Sequence, residues 1–204
     1  IILTGLSVAF AFKTGLFNIG AEGQYIAGTI AAVCVGAKLN LAPIIQVPIV
    51  VLSGVLAGAI FGIIIGYLKA KFGIHEVITS IMLNWIALYL SNFVLYTTAY
   101  HLPDSTSSYP VNETSYTMLL PKWKTSDARM AALKPTKWLY EVMLKTDINF
   151  GILIAVILAI VVWVLLYRST KGYELRSVGF NRDAAEFAGI NVNRNITQAM
   201  LIAG

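Results

Sequence analysis

Long stretches without charge dominate this chain and restrict what it can fold into. Five stretches that together make up more than half of the 204 residues contain one charged side chain, Glu22; they are 1–12, 14–37, 39–68, 77–100 and 148–167. Nearly uncharged apolar runs of about 18 residues or more are typical of membrane-spanning helices. Because only 12% of the residues are charged, we exclude an ordinary soluble globule, a disordered tail and a nucleic-acid-binding module.

These stretches predict four complete membrane-spanning helices, which lie within 18–37, 44–68, 77–100 and 149–167. At about 1.5 Å per residue, roughly 20 helical residues cross the hydrocarbon core. The runs lack the alternation of barrel strands, and backbone groups in lipid must be satisfied internally. We therefore expect an all-α polytopic membrane protein, a bundle of transmembrane helices embedded in a lipid bilayer.

The chain begins and ends inside apolar sequence. Residues 1–12 are too short to span a bilayer, and residues 200–204 lie in a further apolar run. We therefore expect 1–204 to be a single transmembrane domain truncated at both ends, a fragment of a larger protein.

Charge in the connecting segments predicts the orientation. The segment 168–195 carries five basic residues, and the link between the second and third spans carries Lys69 and Lys71. Positively charged loops remain in the cytoplasm. Alternation of the spans then places 101–148, with six basic and five acidic residues, outside the membrane as an extracytoplasmic excursion.

The second span carries a row of glycines at intervals of four residues: Gly54, Gly58, Gly62 and Gly66. Glycines in this spacing let the backbone of a neighbouring helix approach closely. We expect helix packing along this row, and direct contact with a transported solute is the alternative.

The third span carries Ser80, Asn84, Ser91 and Thr98 on one narrow face, because these positions fall within about 40° of each other at 100° per residue. Such a face either forms interhelical hydrogen bonds or lines a polar translocation path.

Glu22 is the one ionisable residue inside a predicted span, and Asn18 and Gln24 lie close to it in sequence. An unpaired charge at membrane depth costs roughly 2.5–3.5 kcal/mol even on insertion scales, so we expect Glu22 to face the interior or water. The surrounding glycines predict a helix start or a broken helix that contributes to a translocation path. The six residues that we expect to line this path are Asn18, Glu22, Gln24, Ser80, Asn84 and Ser91. The alternative is a boundary position, with Glu22 paired to Lys13 or to a helix cap.

A short cytoplasmic helix is predicted near 182–188. Asn181 is a suitable N-cap and Gly189 a suitable C-terminal stop. The helix would present Ala184, Ala185 and Phe187, and so short a helix requires a docking partner or the bundle itself. A surface turn is the alternative.

Enzyme and metal motifs do not occur in the sequence. His75 and His101 are isolated, and the single cysteine, Cys34, has no metal-site spacing. We therefore expect no catalytic residues, no metal site, no cofactor and no nucleic-acid partner.

Three segments resemble one protein family, the bacterial ABC-importer permeases of the ribose, nucleoside and branched-chain amino acid class. They are TGLFNIGAEGQ at 14–24, HEVITSIMLNWIA at 75–87 and GFNRDAAEFAGI at 179–190. The second segment resembles the form found in nucleoside and simple-sugar members. The excursion 101–148 is the least similar part.

The resemblance implies a permease subunit of the bacterial plasma membrane that forms half of a translocation path, with a nucleoside as the expected solute. Its implied partners are cytoplasmic ATP-binding subunits, a second permease subunit, identical or different, and an external substrate-binding protein. The segment 168–195 would then be the coupling loop, with Asn181, the Ala184–Ala185 pair, Phe187 and Gly189 facing the ATPase. The alternative hypothesis is an ion-coupled secondary transporter that uses Glu22.

Overall fold

The computed structural model describes residues 1–97, 100–102, 108–115 and 151–204. Apart from one isolated bridge between His101 and Ser108 and a 3₁₀ turn at Glu113–Ser115, regular structure in these ranges is α-helical. The helices are α1 Ile2–Lys13, α2 Ala21–Lys38, α3 Pro43–Phe72, α4 Glu76–Leu95, α5 Gly151–Arg168, α6 Thr170–Phe180, α7 Arg182–Phe187 and α8 Val192–Ala203. The predicted all-α class is confirmed.

Three of the described helices, α3, α4 and α5, are long and apolar enough to cross a membrane. The first predicted span, 18–37, corresponds to α2, which has 18 residues but carries Glu22 and Gln24 in its first turns and is not one of the three. The third predicted span, 77–100, is cut short because α4 ends at Leu95. Thr98, the last residue of the predicted polar face, lies outside the described residues.

Helix α3 extends beyond the span predicted for it. Pro43 occupies its first turn, where the missing N–H has no helical partner to lose, and Gly73 ends it with a φ of 67°. At about 1.5 Å per residue the 30 residues reach roughly 45 Å, longer than a hydrocarbon core. Lys69 and Lys71, predicted to lie in a loop, therefore lie on the last turn of the helix.

The buried core lies where α1, α3, α6 and α8 meet. Its fully buried large side chains include Phe10, Leu16, Ile65, Leu175 and Met200. Helix α5, in contrast, buries only Ala155 and Leu166 and leaves most of its apolar side chains exposed. An apolar surface of this extent is expected where lipid or further helices cover a protein.

The segment 168–195 is mostly helical and not a loop. Each of its helices has a side-chain cap: Ser169 accepts from the Gly172 N–H at 3.0 Å, Asn181 from the Ala184 N–H at 3.1 Å, and Asn191 from the Arg194 N–H at 2.9 Å. Only the second of these helices, α7, is predicted from the sequence.

The predicted excursion 101–148 is described only at 101–102 and 108–115. There it is attached to the ends of α2 and α3. Asn112 donates from Nδ2 to the Leu39 carbonyl at 2.6 Å, and buried Gln46 donates to the Ser115 hydroxyl at 2.5 Å. The excursion therefore begins on the end of the bundle opposite to α6 and α7.

Candidate functional site

The turn between α1 and α2 is built around Asn18, which is buried. Its Oδ1 accepts from the Gly20 N–H at 3.0 Å, and its Nδ2 donates to the Ser7 hydroxyl at 2.9 Å and to Gln24 Oε1 at 3.0 Å. A short side chain that binds its own backbone two residues later is typical of a tight turn. Asn18 therefore fixes the angle at which the chain enters α2.

Asn84 joins this turn to α4. Its Oδ1 accepts from the Gly23 N–H at 2.9 Å, and its Nδ2 donates to the Ile19 carbonyl at 3.1 Å. Glycine is required at position 23, because a Cβ there would lie 2.9 Å from the Asn84 Cα. Both ends of one amide thus satisfy backbone groups of the α2 start, which otherwise have no helical partner.

Four of the six predicted path residues come together here, but inside the chain. Asn18, Gln24 and Ser80 are buried and Asn84 is half-buried. They form hydrogen bonds with, or pack against, α2 and the turn that precedes it. None of them lines either of the two grooves described below. Gln24 Nε2 and the Ser80 hydroxyl have no hydrogen-bond partner among the described residues.

The other two predicted path residues, Glu22 and Ser91, lie apart from this group. Glu22 is exposed, and the pairing with Lys13 that was the alternative for it does not form among the described ion pairs. Tyr25 and Thr29 follow Glu22 on the same exposed face of α2. Neither is in the predicted set, although helical spacing could have indicated them, because Tyr25 lies three residues after Glu22 and Thr29 lies four residues after Tyr25.

Ser91 lines a groove of about 360 Å³ between α2 and α4. Tyr25, Thr29, Val33 and Cys34 of α2 form one wall. Tyr100 and Ser108, at the start of the excursion, close the far end.

The opposite side of the α1–α2 turn packs on the end of α6. A Cβ on Gly15, which has a φ of 71°, would lie 3.3 Å from the Gly179 Cα, and a Cβ on Gly179 would lie 3.0 Å from the Thr14 carbonyl carbon. Two chain segments meet here with no room for side chains. The turn therefore contacts α4 on one side and the approach to α7 on the other.

Helix α7 has the predicted caps. Asn181 caps its start, and Gly189, with a φ of 81°, allows the Ile190 N–H to bond to the Ala185 carbonyl at 3.0 Å. Phe187 is 94% exposed and Ala184 is exposed. Ala185 does not face outward as predicted: it is 3% exposed and belongs to the core, because helical geometry turns it toward α6 and α8.

Beside α7 is a second groove, of about 450 Å³, between α6 and α7. Tyr173, Phe180, Ala184, Ala188 and Ile190 are among its lining residues. Phe180 is almost fully exposed, as is Phe187 nearby on α7. Exposed aromatic side chains next to a groove of small residues are typical of a protein–protein contact.

Helix α8 connects this region to α3. Asn195 donates to the Glu174 carboxylate of α6 at 3.1 Å, and Lys171 donates to the same oxygen at 2.8 Å. The hydrogen bond from Lys171, followed by that from Asn195, lowers the pKa of Glu174. α6 and α8 are therefore held together by a polar contact as well as by the core.

The predicted glycine row of α3 faces two different helices. Gly58, Gly62 and Gly66 pack against α8, at Gly204, the Met200 carbonyl and Thr197 respectively. Gly54 packs against Gly28 of α2, where its Cβ would lie 3.2 Å from the Gly28 carbonyl oxygen. All four positions thus lie at helix contacts, and none lines either groove.

A buried ion pair joins the last turn of α3 to the first turn of α4. Lys69 Nζ lies 2.7 Å from the Glu76 carboxylate, whose side chain is almost fully buried. Glu76 is absent from the predicted set because it lies at the edge of a charge-free stretch. The described residues contain no group of three or more His, Cys, Asp or Glu side chains that could hold a metal ion.

The chain is similar in sequence to permease proteins of several ABC transporters. The chain is 38% identical over 203 residues to the guanosine ABC transporter permease protein NupP of Bacillus subtilis, and 36% identical over 205 residues to the nucleoside ABC transporter permease protein NupB of Lactococcus lactis. It is 31% identical over 208 residues to the glucose ABC transporter permease protein TsgB13 of Haloferax volcanii.

Each alignment covers 100% of this chain but only 53%, 53% and 51% of the respective relative, so the chain spans about half the length of the curated relatives that it matches. No solved structure gives a significant match.

A family model described as branched-chain amino acid transport system / permease component matches residues 1–204. With its apolar spanning helices, the chain therefore belongs to this permease family of multi-pass membrane proteins.

Proposed function

We propose that this chain forms part of the permease of an ATP-driven importer and contributes half of the translocation path for a nucleoside. The observation that carries the proposal is the match of the whole chain to guanosine and nucleoside permeases of ABC transporters. The permease itself hydrolyses nothing, and ATP hydrolysis belongs to separate subunits.

The proposed partners follow from three surfaces. A cytoplasmic ATP-binding subunit docks on α7 and the groove beside it, where Phe187 and Phe180 are exposed. A second permease subunit, identical or different, covers the exposed face of α2, because the charge of Glu22 is unfavourable against lipid. An external substrate-binding protein docks at the opposite end, and the assembly lies in the bacterial plasma membrane.

The contact between Gly15 and Gly179 supports a route for coupling. Movement of α7 on the ATPase reaches the end of α6, passes to the α1–α2 turn at Gly15, and continues to α4 through Asn84. Each step is a direct packing contact or hydrogen bond. Close-packed contacts of this kind transmit displacement because they cannot absorb it.

An ion-coupled secondary transporter is the second candidate. The observation that favours it is the exposed Glu22 carboxylate, which has no hydrogen-bond or ion-pair partner among the described residues. The capped helix α7 and the groove beside it have no evident purpose in such a transporter.

The proposed solute class is tested by radiolabelled uptake. Cells that lack endogenous nucleoside uptake would express the full-length permease with its partner subunits and receive guanosine, adenosine, cytidine, ribose, glucose or leucine. Saturable uptake of nucleosides, competed by unlabelled nucleosides and not by leucine, is expected. Uptake of leucine or of sugars alone would contradict the nucleoside assignment while leaving the permease assignment in place.

A further inference from the structure

The groove between α2 and α4 has the form of a small-molecule site. Its volume of about 360 Å³ lies within the range of roughly 300–1,000 Å³ typical of such sites. From Tyr25 to Cys34 its wall on α2 covers ten residues, whose nine helical rises of 1.5 Å span about 14 Å. The groove is therefore large enough for a compact solute and too small for a protein segment of any length.

The side chains of the groove are aromatic, aliphatic and hydroxylated. Tyr25 stands at one end, with 66% of its side chain exposed, and Tyr100 at the other. Val33, with Ile26 and Ile30, supplies the aliphatic surface between them. An aromatic ring at a half-open groove offers a stacking face to a planar ring such as a nucleobase.

Three hydroxyl groups reach the same space. Thr29 donates its hydroxyl proton to the Tyr25 carbonyl at 2.6 Å, which leaves the oxygen lone pairs free to accept. The hydroxyl of Ser91 has no hydrogen-bond partner among the described residues, and Ser108 adds a third at the outer end. Thr29 can therefore accept from a sugar or a base edge, and the serine hydroxyls can both donate to it and accept from it.

Charge is absent from the described lining of the groove. Lys38 is not among the lining residues, and its Nζ lies 4.7 Å from the centroid of the Tyr100 ring. Burying a zwitterion or a phosphate without a charged partner is strongly unfavourable. The groove therefore suits a neutral solute and not an amino acid or a nucleotide.

The groove also opens on the face of α2 that carries Glu22. Glu22, Tyr25 and Thr29 form one exposed row on the least apolar of the long helices. A row of this composition is unfavourable against lipid and is expected to face a water-filled path or a partner subunit.

We propose that this groove is a nucleoside-binding site on the translocation path, in which Tyr25 stacks on the base and Thr29 and Ser91 form hydrogen bonds with the nucleoside. The inference rests on the proposed function and adds a site and a reason for selectivity to it. Neutral nucleosides bind in the groove, whereas leucine and guanosine monophosphate are excluded by their charge.

The first test uses Cys34 as a native reporter, since this half-buried thiol lines the groove. Vesicles containing the full-length permease with its partner subunits are treated with N-ethylmaleimide, and alkylation of Cys34 is followed by mass spectrometry. Guanosine should slow the alkylation, and leucine and guanosine monophosphate should not. Equal alkylation rates with and without guanosine would contradict the proposal.

The second test uses variants of Tyr25. Tyr25→Ala should raise the KM for guanosine uptake by about fivefold or more, the equivalent of a lost stacking contact, whereas Tyr25→Phe keeps the ring and should change it little. The matched control is Tyr89→Ala on α4, because Tyr89 is equally exposed, at 66%, and does not line the groove.

The outcomes separate the two levels of inference. Absence of nucleoside uptake by the unaltered transporter contradicts the proposed function. Normal guanosine uptake by Tyr25→Ala and Thr29→Val, together with an unprotected Cys34, leaves the proposed function intact and overturns the assignment of the groove.

Discussion

Asn84 holds the first turn of α2 with both ends of its amide group. It accepts from the Gly23 N–H and donates to the Ile19 carbonyl, two groups at a helix start that have no partner within the helix. At membrane depth no water replaces such a partner. We infer that this residue positions α2 on α4.

We predict that Asn84→Ala lowers the stability of the folded permease. Losing the amide leaves a donor and an acceptor unpaired, at a cost of about 1–3 kcal/mol for each buried group. Thermal unfolding of the purified protein in detergent should show a lower midpoint. The control is Asn92→Ala, since Asn92 is exposed on the same helix; an equal midpoint for the two variants would contradict this role.

The sequence predicts which polar residues of α4 share a face, but not what that face contacts. Residues 80, 84 and 91 lie on one side of a helical wheel, and all three face α2 in the structure. A helical wheel cannot show that Asn84 forms an interior hydrogen bond whereas Ser91 faces an open groove. That difference depends on the distance between α2 and α4 at each of the two residues.

At the scale of helices, α3 is the central support of the bundle. Its glycine row lets α8 approach at three positions and α2 at the fourth. Close approach over a row of glycines gains dispersion contacts, which replace the hydrophobic effect as the source of helix association in lipid. Both neighbours are therefore fixed relative to one helix.

We predict that Gly62→Ala disrupts the contact between α3 and α8. The added methyl group would collide with the Met200 carbonyl, and overpacking of this kind typically costs about 1–3 kcal/mol. Gly5→Ala is the control, because no atom lies within 4 Å of the Cβ position there. A lower yield and lower melting temperature are expected for the first variant alone; equal behaviour would show that the row is not a packing surface.

Helix α7 is the element through which ATP hydrolysis is proposed to act. Phe187→Ala should leave the fold unchanged, since the ring is 94% exposed, and should weaken binding of the ATPase. Truncation of an aromatic anchor often costs about 2 kcal/mol or more, roughly a 30-fold loss of affinity. The measurement is the amount of ATPase that co-purifies with the permease.

The control for this experiment is Phe93→Ala, because Phe93 is a similarly exposed ring and lies near the C-terminal end of α4. Full retention of the ATPase by Phe187→Ala, together with normal uptake, would contradict docking at α7. Ala185 is unsuitable for this test, since it is buried in the core and a charge there would damage the fold directly.

The sequence predicts α7 well because Asn181 and Gly189 mark both of its ends. It predicts α6 poorly, since α6 follows α5 after the single residue Ser169 and its sequence shows little separation of polar and apolar faces. The contacts of Gly15 with Gly179 are also beyond sequence reasoning, because they join positions far apart in the chain.

At the scale of the whole molecule, charge and packing imply one orientation. Single cysteines placed at Ser177, on α6, and at Ser107, outside the described residues, would be probed in a Cys34→Ala background with an impermeant thiol reagent on intact cells. Labelling at Ser107 and not at Ser177 is expected, since the basic segment stays in the cytoplasm. The reverse pattern would invert the proposed positions of the ATPase and the external binding protein.

The two grooves are connected through packed elements of the chain. One lies beside α7, the other beside α2 and α4, and the turn at residues 14–20 contacts the helices between them. We propose that ATP hydrolysis by the ATPase docked at the groove beside α7 drives nucleoside passage at the groove between α2 and α4. It requires energy from ATP and none from an ion gradient.

Guanosine uptake into sealed proteoliposomes tests this claim most directly. The full-length permease and its partner subunits would be reconstituted with the external binding protein, and ATP would be supplied on the ATPase side in the presence or absence of ionophores that collapse proton and sodium gradients. The account predicts uptake that requires ATP and is unaffected by the ionophores. Uptake that proceeds without ATP and disappears when an ion gradient is collapsed would contradict it and would favour coupling through Glu22.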